Sequence, residues 1–174
     1  MAVRPIVTAD QPILRRKAEP VARITPALRR LIDDMVETMR AAEGIGLAAP
    51  QVGEPLRVIV VEVPEDPEVP GSGILYAVIN PEIVEASEEI VEGVEGCLSI
   101  PGWYGWVPRA AVVVVRGLDR EGRRVRVRAQ GLVARVFQHE IDHLDGILFP
   151  DRIQDPTKIW RAQPTPEPVV ASGG

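Results

Sequence analysis

Residues 132–144 read Leu-Val-Ala-Arg-Val-Phe-Gln-His-Glu-Ile-Asp-His-Leu. Leu132, Val133, Val136, Phe137, Ile141 and Leu144 recur at the spacing of an α-helix with one apolar face, so the segment predicts a helix packed in the core. It also holds the only two histidines of the 174-residue chain, His139 and His143. Side chains at i and i+4 share a helical face about 5–6 Å apart, within reach of one metal ion. Glu140 then borders the ion's open position, where a carboxylate takes a proton from bound water. The pattern predicts hydrolysis as well as metal binding, although a short His-Glu-x-x-His pattern also arises by chance.

Two histidines leave a catalytic site one protein ligand short. Cys97, the single cysteine, lies in Glu95-Gly96-Cys97-Leu98-Ser99-Ile100-Pro101-Gly102. Lone cysteines are often small buried apolar residues, but Gly96 before it and Pro101-Gly102 after it place this one where a strand meets a turn. A third segment, Gly44-Ile45-Gly46-Leu47-Ala48-Ala49-Pro50-Gln51-Val52-Gly53, carries small residues that cannot fill a core and avoids charge, which suggests backbone held close to something else. Gly44 reads as the C-terminal cap of a preceding helix. Gln51 offers an amide able to donate hydrogen bonds.

Taken together, Gly44–Gln51, Glu95–Ser99 and Gln138–His143 resemble the three motifs of the peptide deformylase family, in its order and at similar separations, within a likeness that runs from about residue 10 to 152. The resemblance implies that Cys97, His139 and His143 bind one divalent metal, with Glu140 as general base and acid on a metal-activated water. It implies iron(II) as the cofactor, with zinc(II), nickel(II) or cobalt(II) also compatible with this ligand set. The implied reaction removes the formyl group from the N-terminal formyl-methionine of newly made polypeptides. Gln51 and the backbone N–H of Leu98 would stabilise the developing oxyanion, and Cys97 would be a ligand rather than a nucleophile. Ile45, Leu132 and Val136 are candidates for the methionine slot, and Gly46 for contact with the substrate backbone. One departure is visible: many deformylases carry an arginine seven residues after the metal cysteine, where it helps hold the substrate, and this chain has Tyr104. Trp103, Tyr104 and Trp106 form either a lip at the entrance or a packed β-bend.

Two other readings remain. A metallopeptidase of the His-Glu-x-x-His kind would need a ligand downstream of His143, for which Asp145, Asp151 and Asp155 are the nearby choices. A non-catalytic formyl-peptide or metal-binding protein would not need Glu140.

Composition agrees with a small globular enzyme: 45% apolar residues, a net charge of −5 and no apolar run long enough to span a bilayer. The acidic balance argues against DNA binding by the whole surface. Lack of a secretory apolar region and of any cysteine pair points to the cytoplasm, with nascent peptides as partners and transient proximity to the ribosome. Arg116, Arg120, Arg123, Arg124, Arg126 and Arg128 read as the solvent side of a β-hairpin turning near Asp119–Gly122.

The fold expected is α+β, with mixed or antiparallel sheets around a central metal-binding helix and an N-terminal helix. That N-terminal helix starts at Thr25-Pro26, buries Leu28, Leu31, Ile32, Met35 and Met39, and ends near Glu43. Strands are expected at 56–63, 74–80, 82–86, 105–116 and 123–130, with a loop over 64–73. Residues 1–162 are expected to form one catalytic domain and 163–174 a flexible Pro/Gly-rich tail.

Overall fold

The computed structural model describes residues 2–162, so the expected tail lies outside the described residues. Helix α1 spans Pro26–Ala41 and helix α2 Gly131–Leu144. Eight strands accompany them: β1 Gly46–Ala48, β2 Val58–Glu62, β3 Leu75–Ala86, β4 Ile90–Cys97, β5 Ile100–Ala110, β6 Val112–Leu118, β7 Arg124–Gln130 and β8 Ile159–Arg161. They form a five-stranded sheet of order β1-β2-β3-β6-β7 and a three-stranded sheet of order β4-β5-β8, with all pairings antiparallel. This is the α+β architecture expected.

The core follows from side-chain alternation along β2. Val58 and Val60 face Leu28, Leu31, Ile32, Met35 and Met39 of α1, whereas Ile59 and Val61 face Val133, Val136, Phe137, Ile141 and Leu144 of α2. A strand covered on both faces reads as a continuous apolar run, as Val58-Ile59-Val60-Val61 does. Helix α2 also packs against β5, so it lies between the two sheets. Both faces of this helix are therefore committed, and its ligating side is held in the interior.

Thr25 caps α1 as expected, its side chain accepting from the Leu28 N–H at 3.1 Å. The other end differs from expectation. Glu43, not Gly44, takes the left-handed conformation (φ 56°), and the Gly44 N–H reaches back to the Met39 carbonyl at 2.9 Å. Gly44 also lies close to Leu98, since a Cβ there would stand 2.8 Å from Leu98 Cδ1 and the leucine methyl would have to give way.

The strand reading needs three corrections. The stretches 74–80 and 82–86 are one strand, with register irregularities on either side of Glu82 where Pro81 cannot donate to the ladder. The expected strand 105–116 is two strands in different sheets, parted at Ala111. Gln138 of α2 holds that crossing, its side-chain amide accepting from the Ala110 N–H at 3.0 Å and donating to its carbonyl at 2.9 Å. Strands β1 and β8 were not expected, and β4 was anticipated only as the strand ending at Cys97, without its extent. The arginine-rich hairpin does turn at Asp119–Gly122, and Arg116, Arg120 and Arg126 pair with Glu82, Asp33 and Glu85.

Candidate active site

Strand β4 ends at Cys97, and the turn Leu98-Ser99 leads into β5. That turn faces α2, where His139 and His143 stand one helical turn apart with ring centroids separated by 5.1 Å. One donor atom from each of Cys97, His139 and His143 lies within 4.8 Å of the others. Cys97 Sγ and His143 Nε2 are 3.4 Å apart. A tetrahedral ion bonded at about 2.0–2.3 Å sets its donors roughly 3.4–3.6 Å apart, so this separation is already that of two ligands on one centre.

The charges around the cluster also suit a cation. In the metal-free chain, burial alone would lower the His139 pKa, but Glu140, Cys97 and Glu95 around it raise it to about 10. Glu140, Cys97 and Glu95 thus favour positive charge at His139. Burial and the charges of His139 and Arg109 push His143 well below its ordinary value. Glu140 is raised to about 7, by burial first and then by Glu95 and Asp142. Its Oε1 is buried without a hydrogen-bond partner among the described residues.

Gln51 follows β1 in a short 3-10 turn, Ala49–Val52. Its Oε1 accepts from the Ala48 N–H at 2.9 Å, which turns its Nε2 toward Ser99 Oγ at 3.1 Å and Cys97 Sγ at 3.7 Å. The amide is thus oriented as a donor at the metal cluster.

Four residues with no role assigned from the sequence support this arrangement. Glu95 Oε1 lies 2.7 Å from His139 Nδ1; a carboxylate only accepts, so Nδ1 carries the proton and Nε2 is left for a metal. Arg109 grips Glu95 with two hydrogen bonds of 2.9 and 2.8 Å and Asp142 with one of 2.6 Å. Arg135 reaches Glu95 at 2.7 Å and the carbonyls of Val107 and Val91 at 2.8 and 2.7 Å. Burial would raise the Glu95 pKa, but Arg109 and His139 hold it down to about 2. Glu95 and Asp142 sit inside the motifs, whereas Arg109 could have been suspected only as a charge within an apolar strand.

A cleft of about 500 Å³ opens onto the cluster and is lined by Ile45, Gly46, Gln51, Cys97, Leu98, Leu132, Val136, His139 and Glu140, among others. Gly46 has a tighter reason to be glycine than an approaching ligand: an added Cβ would stand 2.6 Å from Val136 Cγ1 and 2.5 Å from Glu140 Oε2. Gly93 is constrained likewise, since its Cβ would come within 2.7 Å of the Arg135 guanidinium. Trp103, Tyr104 and Trp106 are exposed along β5 rather than packed in a bend; Trp103 and Tyr104 line the cleft and Trp106 does not. The carboxylates proposed for a downstream ligand are engaged elsewhere: Asp145 with Arg57, Asp151 with Arg15, and Asp155 with the backbone of Thr157.

The sequence profile of the family described as polypeptide deformylase matches residues 3–158. This chain belongs to the polypeptide deformylase family. It is 56% identical over 156 residues to a peptide deformylase from Thermomicrobium roseum, covering 89% of this chain and 88% of that protein. A peptide deformylase from Ehrlichia chaffeensis, solved in complex with actinonin, is 43% identical and superposes with a TM-score of 0.85, covering 89% of this chain and 91% of that one. A class I type b peptide deformylase from Acinetobacter baumannii, solved with Met-Ala-Ser bound, is 41% identical with a TM-score of 0.82, covering 87% and 99%. Peptide deformylases are metal-dependent hydrolases that deformylate nascent peptides.

Proposed function

We propose that this deformylase releases formate from formyl-methionyl N-termini with Cys97, His139 and His143 holding one divalent ion and Glu140 moving the protons. The observation that carries the assignment is the meeting of those three donor atoms within 4.8 Å beside a buried carboxylate in an open cleft. When bound, a divalent ion acidifies water and polarises the formyl carbonyl as a Lewis acid. Glu140 takes a proton from the attacking water and returns it to the amine as the carbon–nitrogen bond breaks, which leaves formate and a free N-terminus. The Gln51 amide and the Leu98 N–H donate to the oxygen on which negative charge develops.

Ile45, Leu132 and Val136 supply apolar surface for the methionine side chain. Among the described residues, strand β1 has a neighbour only on its β2 side and β4 only on its β5 side, and residues of both line the cleft. An extended peptide can therefore enter as an added strand, with Gly46 leaving its backbone accessible. Iron(II) is the ion we assign, and nascent chains leaving the ribosome in the cytoplasm are the substrates. Among the described residues no helix is long and apolar enough to cross a membrane.

The test compares formate released from a formyl-Met peptide with amine released from its unformylated counterpart, after anaerobic purification and metal analysis. Formate alone supports the assignment; cleavage of the unformylated peptide identifies a peptidase; neither product from metal-loaded protein overturns turnover altogether.

A further inference from the structure

We propose that the outer face of the three-stranded sheet extends the cleft and binds apolar residues of the substrate polypeptide beyond those held in it, an inference that rests on the deformylase reading above. Residues opposed across a sheet share a face, and the pairings Val94 with Trp106, Gly96 with Tyr104 and Tyr104 with Trp160 form one row. Val94, Trp106, Tyr104 and Trp160 are 46%, 44%, 40% and 37% exposed, so each leaves more than a third of its surface to solvent on this one face. Single exposed apolar residues are common, but a contiguous row marks a binding surface.

The row is continuous with the cleft. Val94, Gly96 and Tyr104 line the cleft, while Trp106 and Trp160 lie outside it. Tyr104 forms the junction: a Cβ on Gly96 would stand 2.7 Å from its Cε1, so the ring lies across that glycine beside the end of β4. Trp106 is two residues farther along β5, about 7 Å, and Trp160 is one strand away, about 4.8 Å. An extended chain advances about 3.3 Å per residue, so one or two residues leaving the cleft past Tyr104 reach either tryptophan. Glu92 shares this face and is paired with Lys158 at 2.6 Å. With that charge compensated, the surface favours apolar side chains over charged ones.

The experiment measures formate release from formyl-Met-Ala-Ser and from the same peptide extended by either three glycines or Leu-Phe-Leu. The apolar extension is expected to raise kcat/KM about tenfold through KM, with kcat unchanged. The double variant Trp106→Ser/Trp160→Ser, altered only at exposed positions, is expected to lose that gain and treat all three peptides alike. Equal kcat/KM for the two extensions in the parent protein, or a gain that survives in the double variant, overturns the proposal. So does sedimentation showing a dimer that becomes monomeric in the double variant, since a second copy then covers the face. Absence of formate from all three peptides instead defeats the underlying deformylase reading.

Discussion

His139 of α2 and Glu95 of β4 meet across 2.7 Å, and through this contact the buried Arg109 acts on a candidate metal ligand. A carboxylate on the far nitrogen fixes both the tautomer and the plane of an imidazole. Replacing Glu95 by Gln is therefore expected to weaken metal binding by about 10–100-fold, read by competition with a coloured chelator. An unchanged metal affinity would show that the contact only ties strand to helix.

Arg109 neutralises two buried carboxylates, Glu95 and Asp142, and is itself 4% exposed. Removing Arg109 weakens the compensation of both carboxylates while Arg135 still reaches Glu95 and Arg152 still reaches Asp142, so the cost lies toward the lower end of the about 3–5 kcal/mol of a stranded buried charge. Arg109→Met should lower the unfolding free energy by that order in urea titrations. Combining it with Glu95→Gln should cost less than the sum of the single changes, because the second removes part of the charge stranded by the first.

Acid should act through the same group. The Glu95 carboxyl is held at about 2 in the folded metal-free chain, below its ordinary 4.5, so its contribution to stability is complete above about pH 4.5 and is lost as the pH falls toward 2. Unfolding free energies of the metal-free protein should decline between pH 5 and 3. The decline should be shallower in Glu95→Gln, and an identical slope would assign acid sensitivity to other carboxylates.

Glu140 is the proton carrier in the proposed reaction and has one oxygen without a partner. Glu140→Gln is expected to lower kcat by about 10²–10⁴ while leaving the melting temperature at least as high and the metal content per chain the same. Loss of metal together with activity would assign the carboxylate to ligand support rather than proton transfer.

At Gly46, space is the constraint. The Cβ of Gly46→Ala must displace Val136 and Glu140 on the facing helix, and overpacking of this kind costs about 1–3 kcal/mol. The variant should melt earlier and release formate more slowly even when saturated with substrate. A change confined to KM would indicate that only the substrate feels the added methyl.

Much of this was legible because function here is encoded locally. His139, Glu140 and His143 lie on one helical turn whose apolar spacing also announces a core helix, and Cys97 is marked by its flanking glycine and the following Pro-Gly. What was hidden is long-range. Arg109 becomes intelligible only when β5 is laid beside β4 and α2, because no local pattern marks a charge that will be paired across 14 and 33 residues. Ala111 parts two sheets just after Pro108, Arg109 and Ala110, residues poor in strand propensity that lie between the β-formers of 106–107 and 112–115, and β4 carries so many glutamates and glycines that its strand propensity is low. Gly44 and Gly46, read from the sequence as a cap and a substrate contact, also lie close to neighbouring side chains, a feature visible only once the elements are packed.

Gly93 and Arg135 sit on different elements, 42 positions apart in the chain, yet each admits only what the other leaves room for. In a hybrid, a β4 bearing any side chain at position 93 would enter the space the guanidinium occupies, and an α2 without Arg135 would strip the Val91 carbonyl and Glu95 of their shared donor. The two segments travel as a pair, so a crossover point for recombination belongs before β4 or after α2, not between them.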